Sequence, residues 1–369
     1  MQRLNLKKAF IQLMLGFAIY ATHVEASDEQ RDDSKDCCFN FDLSVDLLIW
    51  KPCVDDLDFA ATSFGNFSDV DNPRQINYRG ICPSWEPGFR VGLRKEEAWK
   101  CFNLDFMYTW YQSQDSASAH GESGKRIAAT LLPPRFIDLK STFSDDTFFD
   151  TGKGKWNLDY QAFDILFSYP LQLCQSNIFS PFFGVSLLKM NQQIRGEYID
   201  SEVDSEESFI TVNTLARSKW KSDYKAAGLK IGSCYSFEIC KGLNLFAAGS
   251  ACLLIGHSDT NSRFSFFQER RFGPTIPEVE TETAYMKVKD DDCCHFVPEF
   301  NIKAGFTYEG NMCECDWTLR VGYEFIMWQN MPTYRRFHDI ETGLIADSNR
   351  VNVGTIGFHG LTVGLGLSY

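Results

Sequence analysis

Residues 39–50 read FNFDLSVDLLIW. In an extended chain Phe39, Phe41, Leu43, Val45, Leu47 and Ile49 fall on one side, and Asn40, Asp42, Ser44 and Asp46 on the other. A period of two with one apolar and one polar side is the pattern of a half-buried β-strand. It recurs along the chain. Over 101–111 the apolar set is Phe102, Leu104, Phe106, Tyr108 and Trp110. Over 316–328 it is Trp317, Leu319, Val321, Tyr323, Phe325 and Met327, set against Thr318, Arg320, Gly322 and Glu324. Similar runs occupy 88–95, 156–169, 178–189, 223–233, 243–256 and 296–308, and another runs from Leu361 to Tyr369. No comparable stretch of period 3.6 carries helix caps, so the predicted class is all-β.

Length and spacing separate a membrane barrel from a soluble sandwich. The runs are about 10–14 residues long, which suits a tilted crossing of a bilayer, whereas soluble strands average about 5–6. Trp50, Trp110, Tyr111, Trp156, Tyr169, Trp317 and Trp328 mark run ends, where an aromatic girdle would lie. Short connections around Lys95–Lys100, Pro170–Asn177, Cys234–Gly242 and Glu309–Cys315 alternate with long polar ones at 51–87, 112–155, 190–222, 257–295 and 329–356. The prediction is a transmembrane antiparallel up-and-down β-barrel with short periplasmic turns and long extracellular loops. Its strand number is even, at least 10 and within the range 10–16. Ser208–Leu215, Ser262–Phe267 and Ala284–Val288 are candidates for extra or extended strands.

The 369 residues carry a formal net charge of −13, which argues against a nucleic-acid partner. After the N-terminus no run of 18 or more apolar residues suggests a spanning helix. A mean hydropathy of −0.25 is compatible with a barrel, because alternation dilutes the apolar signal. Residues 1–26 read as a cleavable signal peptide: Arg3, Lys7 and Lys8 are basic, Ala9–Ala21 is apolar, and Val24-Glu25-Ala26 precedes the cut. Residues 27–369 then form a single barrel domain in a bacterial outer membrane, with lipid as its surroundings. The final run, with apolar or aromatic residues at 361, 363, 365, 367 and 369, resembles the β-signal read by the outer-membrane insertion machinery. A last strand must close on the first, since an open edge in hydrocarbon leaves unpaired N–H and C=O groups.

Several short motifs carry a family resemblance: FDLSVDLLIWKPCVDDLDFA at 41–60, WEPGFRVGL at 85–93, YQAFD at 160–164, PFFGV at 181–185 and GLTVGLGL at 360–367. Together they resemble the Legionella-type major outer membrane protein family, which includes MOMP-like proteins of chlamydia-like bacteria. The resemblance implies a porin-like or surface protein, with no cofactor and no catalytic residues to carry over. The residues agree with that implication. There is no G-x-S-x-G, H-E-x-x-H or P-loop, and GESGKR at 121–126 lacks the first Walker glycine. The carboxylates Asp145-Asp146 and Asp290–Asp292, and the basic Gly152–Lys155, read as solvated loops.

If the apolar sides meet lipid, the candidates to line the interior are Asp42, Asp46, Arg90, Arg94, Asp105, Asp164, Lys230, Glu299, Lys303, Arg320 and Glu324. Their near-balance of sign fits either a weakly selective polar channel or a salt-bridged, blocked interior. Thirteen cysteines in an exported chain predict disulfides. Cys37, Cys38, Cys101, Cys174, Cys234, Cys240, Cys313 and Cys315 fall at the periplasmic rim, Cys53 and Cys82 bracket the first long loop, and Cys293 and Cys294 end another. The expectation is a rim network, within the barrel or to envelope proteins or a second copy, and a Cys53–Cys82 staple. An odd total leaves at least one thiol over. Cys-Cys and Cys-x-Cys spacings do not suit zinc. Two functions follow: passive diffusion of small hydrophilic solutes or ions, or a structural or adhesive barrel that anchors acidic external loops.

Overall fold

The computed structural model describes residues 41–64, 76–99, 102–121, 125–133, 148–174, 176–203, 210–272, 279–312, 315–333 and 353–368. The proposed signal peptide, Cys37, Cys38, Cys101, Cys313 and Asp145-Asp146 lie outside the described residues. Ten strands form the wall: β1 (Phe41–Val54), β4 (Glu86–Trp99), β5 (Phe102–His120), β7 (Thr151–Ser168), β9 (Asn177–Val203), β10 (Thr211–Cys240), β11 (Leu243–Arg271), β12 (Val279–Met312), β13 (Cys315–Pro332) and β14 (Val353–Ser368). Each pairs antiparallel with the next in chain order, and β14 pairs with both β13 and β1, so the ring is closed. These ten strands overlie the ten runs of alternation. A four-residue piece, β8 (Leu171–Cys174), flanks β9 at the rim.

Parity decides what each side chain meets. Along β10, Leu229, Ile231, Tyr235 and Phe237 point outward into the lipid layer, while Lys230 is buried inside. Further up the same strand the polarity reverses: Val212, Ala216 and Trp220 are buried inside, and Arg217, Lys219 and Lys221 point out. β7, β9 and β11 follow the same rule with Trp156, Ile194, Tyr198, Phe264 and Phe266 inside.

Nearly all the described residues of the long connections at 190–222 and 257–295 are therefore strand and not loop. β9 and β10 stay paired from Asn177↔Phe237 to Val203↔Thr211, and β11 and β12 from Leu243↔Tyr308 to Arg271↔Val279. Of the candidates for extra strands, Thr211–Leu215, Ser262–Phe267 and Ala284–Val288 contribute to these extensions and form no additional strands, and Ser208 and Phe209 lie outside the described residues. Asp290–Asp292 lie within β12 and Gly152–Lys155 within β7, so neither is a loop. Strands of 27–34 residues far exceed the roughly 9–11 a crossing needs. Their upper portions stand in water, which is why apolar residues turn to the inside there.

That interior is filled by a second sheet, ordered β3-β2-β6: β2 (Asp58–Phe64) and β3 (Ile76–Gly80) come from the first long connection, β6 (Lys125–Ala129) from the second. Leu57, Phe59, Ala60, Ile81, Ile127, Leu131 and Phe149 are buried in one core with Trp156, Tyr198 and Trp220 of the wall. Tyr198 Oη donates to the Phe59 carbonyl at 2.5 Å, and Trp220 Nε1 donates to the Leu131 carbonyl at 3.4 Å. Gly154 makes this approach possible, because a Cβ there would lie 2.6 Å from Phe59 Cγ.

Candidate functional site

The interior below the small sheet holds the lumen candidates, brought together by register. Asp46 lies opposite Arg90, Arg94 opposite both Asp42 and Asp105, and Lys303 opposite Glu324. Each pair comes from neighbouring strands with even parity on the inner face or its odd equivalent. Cross-lumen contacts then join them. Arg90 forks onto Glu324, with nitrogen–oxygen distances of 3.1 and 2.9 Å, and its Nε donates to Thr109 at 3.1 Å. Glu324 also accepts from Asn301 at 2.9 Å and Thr362 at 3.3 Å. Arg90, Lys303 and Arg320 surround Asp46 at 3.7, 3.7 and 3.8 Å.

Two further groups complete the polar layer. Lys230 bridges Asp164 at 3.0 Å and Glu299 at 3.1 Å, and Glu299 also accepts from Trp328 Nε1 at 2.9 Å. Arg94 pairs with Asp105 at 2.5 Å, and Ser168 donates to the other Asp105 oxygen at 2.9 Å. All the lumen candidates except Asp42 take part in these ion pairs. The interior at this level is a network of ion pairs. The fork on Glu324 and the added neutral donors to Glu324 and Glu299 offset the cost of burying those charges, while Asp46 Oδ1 and Asp164 Oδ1 are buried without a hydrogen bond.

An aromatic layer sits on top of the charges. Trp50, Tyr111, Tyr160, Trp328 and Phe358 are buried, with ring centroids 5.0–6.4 Å apart. The guanidinium of Arg90 lies 5.6 Å from the Trp50 ring, coupling the two layers. Tyr160 is on β7 and Trp328 on β13, which stand opposite each other in the ten-strand ring. Their centroids are 5.1 Å apart, so side chains meet across the full lumen. Trp50, Tyr111, Trp156 and Trp328 are thus core residues and not girdle residues. Position along the strand placed them at the interface, but parity turns them inward. Trp110 and Trp317 remain on the outer side, packed on Phe89 and Tyr308.

The Legionella pneumophila major outer membrane protein family matches residues 37–369. The chain belongs to this family. As a major outer membrane protein of this kind it resides in the outer membrane, with the ten wall strands forming its barrel. Among solved structures it is similar to the outer membrane protease OmpT from Escherichia coli, at 9% identity with a TM-score of 0.40, over 93% of this chain and 99% of that one. It is similar also to a major outer membrane protein from Thermus thermophilus, at 9% identity with a TM-score of 0.29, over 90% and 100%. A third is the toluene transporter TbuX from Ralstonia pickettii, at 8% identity with a TM-score of 0.26, over 89% and 88%. A curated protein, the membrane-bound O-acyltransferase GUP1 of Saccharomyces cerevisiae, is 32% identical over 100 residues. That segment is 26% of this chain, and it spans only 17% of the length of the yeast protein.

Among the described residues the cysteines form no disulfide, and Cys37, Cys38, Cys101 and Cys313 of the expected rim network lie outside them. Cys53, Cys82, Cys174, Cys234, Cys240, Cys252, Cys293, Cys294 and Cys315 are free thiols, so the Cys53–Cys82 staple is absent. Register gives the reason, since no described cysteine faces another. Cys53 lies opposite Gly357, Cys174 opposite Asn177, Cys234 opposite Ser180 and Ala248, and Cys240 opposite Leu243. Cys293 lies opposite His257 and Cys315 opposite Met312, while Cys252 faces the interior beside Lys230 and Glu299.

Proposed function

We propose that this major outer membrane protein is a closed barrel with a structural, surface-presenting role, and not a standing diffusion pore. The contact of Tyr160 with Trp328 across the lumen carries this reading. The charge layer beneath and the small sheet above reinforce it. Ten strands lie near the size at which side chains fill a barrel, well below the roughly 16 that leave an aqueous channel. The passive-diffusion reading would require the aromatic layer and the Arg90–Glu324 fork to part together. The closed reading invokes no catalytic group and no cofactor.

What the barrel holds in place is its water-exposed wall and, at the other rim, its thiols. Cys174 and Cys240 are exposed beside the short turns, where a neighbouring envelope protein or second copy could form disulfides. The insertion machinery is a further partner, acting on β14. The test is planar-bilayer conductance of refolded protein, with and without reductant, on preparations whose heat-modifiable migration proves insertion. The expected result is silence. Stable ohmic steps from the native chain would overturn the closed reading and restore the pore.

A further inference from the structure

The outward wall carries two rows of cations that no carboxylate answers. At the top of the lipid-facing band, Tyr108, Phe163, Leu187, Ala227 and Ile255 form one cross-strand row over β5, β7, β9, β10 and β11. Ala227 is its small member, and a groove of 460 Å³ opens among these five side chains. Lys189 and Lys225, both exposed and directly opposite each other, close the groove's upper edge.

Six residues further along β9 lies the second row. Lys155, Arg195, Lys219, Arg263 and Lys287 are each directly opposite the next, over β7, β9, β10, β11 and β12. Strand spacing puts these five charges within about 20 Å, and the two rows lie about 20 Å apart along the strands. A cleft of 700 Å³ runs over four of the five.

Like charges directly opposite each other destabilise a sheet. Partial desolvation, and then the charges of Arg195, Arg263 and Lys221, hold the Lys219 ammonium below the usual lysine range. Between the rows runs a row of carboxylates on the same face, with Asp223 directly opposite Asp259 and Asp259 opposite Asp291, and each of these acids has a polar or charged partner of its own. Asp159 accepts from Gln112 and Gln161, Asp223 pairs with Lys221, Asp259 with Lys289, and Asp291 with His257. Among the described residues, Lys189, Lys225, Lys155, Lys219, Arg263 and Lys287 have no such partner.

We propose that this wall docks the phosphorylated glycolipid of the outer leaflet. An acyl chain lies in the groove beneath Ala227, and a sugar phosphate at its head sits between Lys189 and Lys225. Phosphates further out on the saccharide meet the Lys155–Lys287 row. The site faces sideways, toward lipid standing beside the barrel, and only a ligand with both acyl chains and anionic sugars uses the groove and both rows. The inference rests on the outer-membrane location and is independent of whether the lumen conducts.

The test titrates the refolded full chain, in zwitterionic phosphocholine micelles, with short-core lipopolysaccharide, the same glycolipid after phosphatase treatment, and heparin. The phosphorylated glycolipid is expected to bind and the dephosphorylated one to bind at least tenfold more weakly. Lys189→Gln with Lys225→Gln should lose about thirtyfold, at about 1 kcal/mol per cation near an anionic surface. Ala227→Trp, which fills the groove without touching charge, should also weaken binding. Heat-modifiable migration of every variant confirms the barrel. Equal binding of the dephosphorylated glycolipid would overturn the phosphate contacts. Heparin binding as tight as the glycolipid's, insensitive to Ala227→Trp, would mean a soluble polyanion is the ligand and would overturn the proposal.

Discussion

The lower and upper halves of β10 use one backbone to solve opposite problems. In the lower half Ile231 and Phe237 face outward and Lys230 faces inward, while in the upper half Lys219 faces outward and Trp220 inward. The backbone, the ladder and the alternation are unchanged between them. What changes is the solvent on the outside. Hydrocarbon accepts apolar side chains and leaves the polar ones to be satisfied within the ring. Water does the reverse, so the upper interior becomes an ordinary hydrophobic core around β2, β3 and β6. Alternation alone reports that a strand is two-faced, and only the surroundings say which face is inside.

Each half can be stressed by a change that suits the other. The largest effect is expected from Arg90→Met, which leaves Glu324 and Asp46 short of their main partner in the lower interior. Removing one member of a buried pair costs about 3–5 kcal/mol, whereas Arg90→Met with Glu324→Leu together should be close to neutral. Urea unfolding in lipid vesicles reads both, and equal losses in the single and double variants would deny the coupling. Next comes Ile231→Arg, near the middle of the lipid-facing band, at about 2–4 kcal/mol by the same measurement.

Gly154→Ala is expected to cost about 1–3 kcal/mol, because the added methyl meets the Phe59 ring and the wall has to shift. Its signature is local: limited proteolysis should open the small sheet while the lower barrel keeps its heat-modifiable migration. The smallest effect is expected from Ser265→Arg, outward on the upper part of β11, within about 0.5 kcal/mol. A loss there as large as that of Ile231→Arg would place Ser265 in lipid and break the division between the halves.

Much of the lower half was readable from the residues. Alternation places Asp46, Arg90, Arg94 and Asp105 on the inner faces of their strands, but which of them meet was not legible: the β4–β5 ladder shifts register between Lys95 and Trp99, and a long connection separates β1 from β4. Trp50 was legible, since Ile49 points to lipid and the next residue has to point inside. The girdle assignment failed there because it used height along the strand and ignored parity. The upper half was harder. The runs 190–222 and 257–295 alternate, but their outward residues are polar, which reads as loop when the outside is assumed to be lipid. The seating of Phe59 against Gly154 joins residues far apart in sequence, with no shared period to announce it. The same holds for Tyr160 and Trp328, which meet only because ten strands bring their walls together.

Asp42 pairs with Ser368, and Leu43 with Leu367. The seam of the ring therefore joins the first barrel strand to the one that follows all the others in the chain. Local hairpins can form early, but this pairing has to wait for β14 to leave the ribosome and cross the inner membrane. Pairings of such long sequence separation are slow, since loop-closure entropy is lost before any contact repays it. The edge that β1 offers to β14 is thus the one whose partner comes last in the chain, across the longest sequence separation in the ring.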